Sequence, residues 1–190
     1  MKLYPENLYH IYNRGNNRQK IFFTRKNYLY FLNKVKDELK PFSDIVCYCL
    51  MPNHFHFMVS TFSNFDQEQF SNGFRILLSS YTNAINIQEK RVGSLFQQNS
   101  KAKCLTDKNR QGNYGLLCFN YIHQNPVISK LVDKMEDWEF SSFKDYMGFR
   151  SGTLCNKVLA YELVGMPGSK EEFYKISYDL LDTKKLSNIF

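Results

Sequence analysis

The stretch Asp44-Ile45-Val46-Cys47-Tyr48-Cys49-Leu50-Met51-Pro52-Asn53-His54-Phe55-His56-Phe57-Met58-Val59-Ser60 decides how this chain folds. Its first half, Asp44 to Met51, is β-branched and aromatic and about one strand long. Pro52-Asn53 is a turn signal. From His54 the residues alternate at strand spacing, so the two halves read as a β-hairpin. Upstream, Leu8-Tyr9-His10-Ile11-Tyr12-Asn13 reads as an earlier strand, stopped by Arg14-Gly15-Asn16-Asn17. A helix lies between: Tyr28, Phe31, Leu32, Val35 and Leu39 recur at helical spacing, with Thr24 as the expected N-cap and Pro41 as the stop. Downstream, a second helix starts near Asp66, with Phe70, Phe74, Leu77, Leu78, Tyr81 and Ile85 as its apolar stripe. Ser94 to Leu105 is expected to contain another strand. A third helix is expected from about Asp107 to Gln124, weakened by Gly112 and Gly115. Pro126 disfavours helical geometry at Asn125, so that helix should end there. The order β-α-β-β-α-β-α matches the ferredoxin-like split βαβ pattern: an α+β fold, with helices on an antiparallel sheet and one helix added. Residues 1–150 read as one domain. Residues 151–190 read as a C-terminal extension of unknown role, packed on the same domain.

Of the 190 residues, 43% are hydrophobic and 16% aromatic, enough for a sizeable core and too many for a disordered chain. No window approaches the run of about eighteen apolar residues that a transmembrane helix needs. Met1 to Asn7 lacks the apolar run of a signal peptide, so the expectation is a cytoplasmic protein with no membrane partner. Five cysteines, an odd number, fit reduced thiols better than a disulfide framework. The net charge is +7, from 25 Lys/Arg against 18 Asp/Glu. It is unevenly placed: residues 1–110 hold 16 Lys/Arg against 8 Asp/Glu, and residues 111–190 hold 9 against 10. A basic domain of this kind has polyanions as its leading partner class, although a merely solubilising surface would read the same way.

Two of the four histidines are His54 and His56. At i and i+2 of a strand they project from one face, side by side, where they can bind one metal ion. The alternative is a pair of hydrogen-bonded or exposed histidines at a hairpin mouth. Cys47 and Cys49 have the same spacing across the hairpin. If Cys49 lies opposite His56, a Cys/His zinc site is conceivable, but two cysteines in an apolar strand are more often small core residues. Further on, Tyr121 and Asn125 are i and i+4 on a helix and share a face, with Gln124 nearby. Read alone, they are a buried tyrosine and a capping amide. Read with the histidines, they suggest a chemistry. Two neutral imidazoles and an amide oxygen bind a divalent cation without cancelling its charge, a phosphodiester can complete its shell, and a tyrosine oxygen can attack the phosphorus.

These residues carry a resemblance. His54-Phe55-His56 and the downstream Tyr121-x-x-x-Asn125-Pro126 resemble the single-tyrosine HUH transposases of bacterial insertion sequences, and more specifically the REP-associated tyrosine transposases. Tyr9-His10-Ile11-Tyr12-Asn13-Arg14-Gly15-Asn16, Gly93-Ser94-Leu95-Phe96-Gln97, Tyr121-Ile122-His123-Gln124-Asn125-Pro126-Val127 and Trp138-Glu139-Phe140-Ser141-Ser142 are similar to that branch. The likeness spans about residues 4–150. It implies a ferredoxin-like HUH fold, dependence on Mg²⁺ or Mn²⁺, and strand transfer on single-stranded or hairpin DNA with REP-like sequences. It implies Tyr121 as nucleophile, leaving a 5′-phosphotyrosine, and His54, His56 and Asn125 as metal ligands, with Gln124 the alternative amide. Arg14, Asn16, Arg18 and Lys20, after the first strand, and Lys101 and Lys103, before the third helix, are the expected DNA contacts. Either a monomer or a homodimer fits. The competing readings are a non-catalytic nucleic-acid binding module on a ferredoxin-like sheet and a structural zinc protein built on Cys47, Cys49, His54 and His56.

Overall fold

The computed structural model describes residues 1–106 and 114–179. Its sheet has four antiparallel strands: β1 (Leu8–Arg14), β2 (Ser43–Met51), β3 (His54–Thr61) and β4 (Lys101–Cys104), in the order β2-β3-β1-β4. The helices are α1 (Arg25–Glu38), α2 (Gln67–Gln88), α3 (Tyr114–Ile128), α4 (Phe143–Met147), α5 (Lys157–Val164) and α6 (Lys170–Tyr178). This is the α+β, ferredoxin-like arrangement expected from the sequence. The β2–β3 hairpin turns at Pro52-Asn53, and α2 is capped by the Asp66 carboxylate, which accepts from the Glu68 and Gln69 amides. The Thr24 amide at the start of α1 donates to Asn27 Oδ1 at 2.9 Å.

α1 and α2 cover one face of the sheet through an aromatic core. Phe31 lies 5.3 Å from Phe55 and 4.8 Å from Tyr81, ring to ring. The Tyr81 hydroxyl donates to the Ile21 carbonyl at 2.7 Å, so this large buried ring carries no unpaired polar atom. The two helices approach closely at Gly73, where an added Cβ would stand 2.2 Å from the Glu38 carbonyl oxygen.

α3 packs on the other face, over β2 and β3, burying Cys118, Phe119 and Ile122. Residues 138–156 then run along the outer edge of β2. The Leu50 amide donates to Phe140 O at 2.8 Å, the Ser142 amide to Tyr48 O at 3.0 Å, and the Asn156 amide to Ile45 O at 2.9 Å. A strand edge that would otherwise present unpaired backbone groups is thereby occupied. Arg150 locks this strap, donating from Nε and Nη2 to the Asp145 carboxylate at 2.7 Å each and to the Ser141 carbonyl at 2.7 Å. α5 and α6 pack on α3, and Phe173 of α6 is buried against Phe119 and Tyr146.

One expectation is corrected. The third helix does not stop at Asn125 but runs to Ile128 with Pro126 inside it. Pro126 lacks only the amide that would reach one carbonyl near the helix end. It is buried, and the packing of that turn outweighs the local preference against helix before proline. The expected start of the helix at Asp107, and Gly112, lie outside the described residues.

Candidate functional site

Strand register brings the site together. Arg14 pairs with His54 and Tyr12 with His56 across β1 and β3, while Lys101 pairs with Tyr12 and Lys103 with His10 across β4 and β1. Opposed residues share a face. Hence His54, His56, His10, Tyr12, Arg14, Lys101 and Lys103 all stand on the face against which α3 packs, and Phe55, Phe57 and Ile11 point to the aromatic core.

α3 delivers the tyrosine. The Tyr121 ring meets His56 edge-on, with centroids 5.6 Å apart and planes at 85°. One turn later the buried Asn125 donates from Nδ2 to the Tyr121 carbonyl at 2.8 Å, and its side chain lies near enough to His54 to oppose the lowering of that imidazole's pKa by burial. The expected cluster of Tyr121, Asn125, His54 and His56 is therefore one place in space. Gln124, the alternative amide, points away and donates to the Ser177 carbonyl at 2.7 Å.

The turn after β1 builds the rim. Gly15 has no room for a side chain, since a Cβ there would lie 2.3 Å from the Gln19 carbonyl oxygen. The Gly15 amide donates to Asn53 O at 2.8 Å and the Asn16 amide to Leu95 O at 3.0 Å, so the turn is clamped to the hairpin tip and to the segment before β4. Arg14 and Arg18, both exposed, then line a cavity of about 300 Å³ together with Tyr12, Asn53, His54, His56 and Tyr121. Lys101 is exposed and lines an adjoining cleft with Tyr12 and Arg14. Lys103 is half-buried on the same face. Asn16 is engaged within the chain, donating from Nδ2 to the Ser94 carbonyl at 3.3 Å, and Lys20 is exposed but lines neither cavity.

Burial sets the electrostatics. It lowers the pKa of His54, with Arg14 adding to the effect, and pushes His56 well down, helped by His10 and His54. His10 is lowered to about 3 by burial and by Lys103. All three imidazoles are therefore neutral at pH 7, the form in which histidine ligates metal. Burial raises the Tyr121 phenol above its ordinary value, and the hydrogen bond from Asn125 opposes that rise.

Each site histidine has its Nδ1 taken. The Asn53 amide nitrogen faces the Arg18 carbonyl at 3.3 Å, which turns its oxygen to His54, so His54 Nδ1–H donates to Asn53 Oδ1 at 2.6 Å. His56 Nδ1 is 2.8 Å from His10 Nε2. His56 Nε2 is buried with no hydrogen-bond partner, an arrangement that is costly unless a ligand completes it. Two neutral imidazoles, an adjacent amide and an unsatisfied ring nitrogen fit a divalent cation. No group of three or more His, Cys, Asp or Glu disposed to hold a metal occurs among the described residues.

The zinc reading gains nothing. Register does place Cys49 opposite His56, but the Cys49 thiol is fully buried, contacts Met51 Sδ at 3.7 Å and has its pKa raised by burial. The sequence reading missed His10 and Tyr12 as site residues. Their signal was the alternation His10, Tyr12, Arg14 on β1, but only the register shows which face meets His56.

The architecture thus defines a class: a ferredoxin-like antiparallel sheet with helices on one face and an added helix bearing Tyr121 on the other. Among solved structures, the chain is similar to one described as a REP-associated tyrosine transposase bound to a REP hairpin, with a TM-score of 0.60 and 21% identity over 78% of this chain and 86% of that chain. At that identity the likeness is one of fold. Structures of a bacterial tRNA(His) guanylyltransferase-like protein with GTP and with ATP align at a TM-score of 0.42 each, with 11% and 12% identity over 69% and 72% of this chain and 70% of that chain in both cases, too weak to bear on the site. No family model matches the sequence, and no curated protein matches it. No helix among the described residues is long and apolar enough to cross a membrane.

Proposed function

We propose that this protein is a metal-dependent DNA strand-cleaving and rejoining enzyme that acts on single-stranded or hairpin DNA through Tyr121, a transposase-type reaction. The observation that carries the reading is convergence: Tyr121 and Asn125 from α3 meet His54 and His56 from β3 beside a cavity rimmed by Arg14 and Arg18. The fold it shares with a hairpin-bound tyrosine transposase supports the same reading.

In this reading His54, His56 and Asn125 would hold Mg²⁺ or Mn²⁺, which when bound polarises the scissile phosphate as a Lewis acid. Arg14 and Arg18 hold the flanking phosphates. The Tyr121 oxygen attacks phosphorus, the bond to the 3′ oxygen breaks, and the products are a 5′-phosphotyrosine and a free 3′-OH. That hydroxyl, or another, attacks the phosphotyrosine in the reverse sense, so rejoining needs no external energy source. Because burial raises the Tyr121 pKa, removal of the phenolic proton needs positive charge close to the oxygen. Asn125, which opposes that rise, is placed to favour the ionised form.

The test is incubation of the protein with labelled hairpin oligonucleotides from the flanks of its own gene and Mn²⁺, followed by a denaturing gel. A covalent protein–DNA band that is absent with EDTA is the expected result. Salt-sensitive hairpin binding with no adduct on any substrate would favour the non-catalytic binding module.

A further inference from the structure

His10 is the buried residue at this site that the proposed chemistry does not use. It has no exposed surface, and its ring is set between Tyr12 and His56, with centroids 4.8 Å and 5.0 Å away. The His10 and His56 planes are 21° apart, and His10 Nε2 lies 2.8 Å from His56 Nδ1. Two rings so nearly parallel, with nitrogens in hydrogen-bond contact, are joined edge to edge. The pair has two tautomeric arrangements. Either His56 Nδ1–H donates to His10 Nε2 and His56 Nε2 is a bare lone pair, or His10 Nε2–H donates and His56 carries its proton on Nε2. The first puts the remaining proton on His10 Nδ1 and the second puts it on His56 Nε2, both buried nitrogens, so the hydrogen bond alone does not choose between them; a cation in the cavity would, because it needs the His56 Nε2 lone pair. His54 has the same Nδ1 engaged, and there the direction is fixed because a carbonyl oxygen can only accept: its Nδ1–H donates to Asn53.

We infer that His10 is a positioning residue: it accepts the Nδ1–H of His56 and so holds His56 with its Nε2 lone pair turned into the cavity. The two histidines of β3 would then be oriented by different devices, an amide oxygen for His54 and a third imidazole for His56. Such partners of a ligating histidine fix its tautomer and ring orientation, and losing one costs about tenfold to a hundredfold in metal affinity. The choice of tautomer rests on the reading proposed above, since it is the cation that needs the His56 Nε2 lone pair.

The experiment has two arms. In wild-type protein saturated with Mg²⁺, the ring ¹⁵N shifts of His56 identify its tautomer directly. The Nδ1–H form is expected, and an Nε2–H form in protein that binds the cation would overturn the inference. In the second arm, Mn²⁺ affinity is measured by the loss of the free-ion EPR signal for wild type, His10→Phe, His10→Gln and His54→Ala. His10→Phe keeps a ring but offers no acceptor, so the affinity should fall about tenfold or more. His10→Gln returns an acceptor oxygen and should recover most of it, a rescue that a purely packing role for His10 would not give. Wild-type affinity in His10→Phe would overturn the inference. Wild-type protein that binds no Mn²⁺ at a site sensitive to His54→Ala would instead overturn the metal-dependent reading.

Discussion

His54 and His56 offer the same ring in different settings. His54 is half-buried beside Arg14 and Asn125, whereas His56 is buried beneath Tyr121 with one nitrogen unsatisfied. Removing either imidazole leaves the basic rim intact. His54→Ala and His56→Ala are therefore expected to lower strand cleavage about a hundredfold or more while hairpin affinity changes little, because phosphate contacts supply most of it. Asn125→Ala is expected to be milder and partly restored by raising Mn²⁺, since one neutral donor is removed and the nucleophile remains. Cleavage by both histidine variants at the wild-type rate in a gel time course would remove the metal-centred mechanism. At this scale the sequence was informative wherever two residues belong to one element. Spacing of i and i+2 put the histidines together, and i and i+4 put Tyr121 with Asn125. It was silent on His10, whose meeting with His56 depends on the diagonal neighbourhood of two strands 46 residues apart.

Elements were legible where a stripe and a stop signal agreed, as for α1, α2 and the hairpin. α3 was misjudged at its end because proline chemistry is local and its packing is not. His123 hydrogen-bonds Ser142 at 2.8 Å, Gln124 reaches the Ser177 carbonyl, and Pro126 is buried, so tertiary contacts carry the helix past the proline. α4, α5 and α6 were not read, because they are short and their sequence signals, such as Gly148 and Gly165 in left-handed geometry, are single residues. The contact between α1 and α2 gives a test of element packing. Alanine is favoured over glycine in a helix by about 1 kcal/mol. At Gly73 the added methyl would collide with backbone at Glu38, and overpacking of that kind costs about 1–3 kcal/mol. Gly73→Ala is therefore expected to lower the urea unfolding midpoint. A raised midpoint would contradict the close packing of the two helices.

Over the whole molecule, charge and burial act on different observables. The positive excess of residues 1–110 supplies Arg14, Arg18, Lys101 and Lys103 to the site face, while residues 111–190 are near neutral. Arg14→Ala and Arg18→Ala are expected to weaken single-strand binding and to reduce its salt slope by about 0.7 for each phosphate left without its cation. Lys170→Ala and Lys175→Ala, on α6, are expected to leave both unchanged; equal weakening in a filter-binding series would misplace the DNA surface. Stability responds to pH through the buried imidazoles. His10 and His123 are held at about 3 by burial, against 6.5 for an ordinary histidine. Between those values the unfolded chain binds more protons, so stability should fall as pH drops through that window. Each fully titrating histidine adds a slope of about 1.4 kcal/mol per pH unit. Urea unfolding at pH 7, 6 and 5 is expected to show the decline, and a flat profile would mean that these rings are not buried neutral.

The central claim is that the Tyr121 oxygen makes the covalent bond to DNA, and mass spectrometry of the trapped adduct tests it most directly. Protein incubated with a cleavable hairpin and Mn²⁺ is digested with protease and nuclease, and the peptide carrying the residual nucleotide is sequenced. The modification is expected on Tyr121, with Tyr121→Phe folding and binding the hairpin but yielding no adduct. A nucleotide on any other of the 13 tyrosines, or an adduct that persists in Tyr121→Phe, would contradict it.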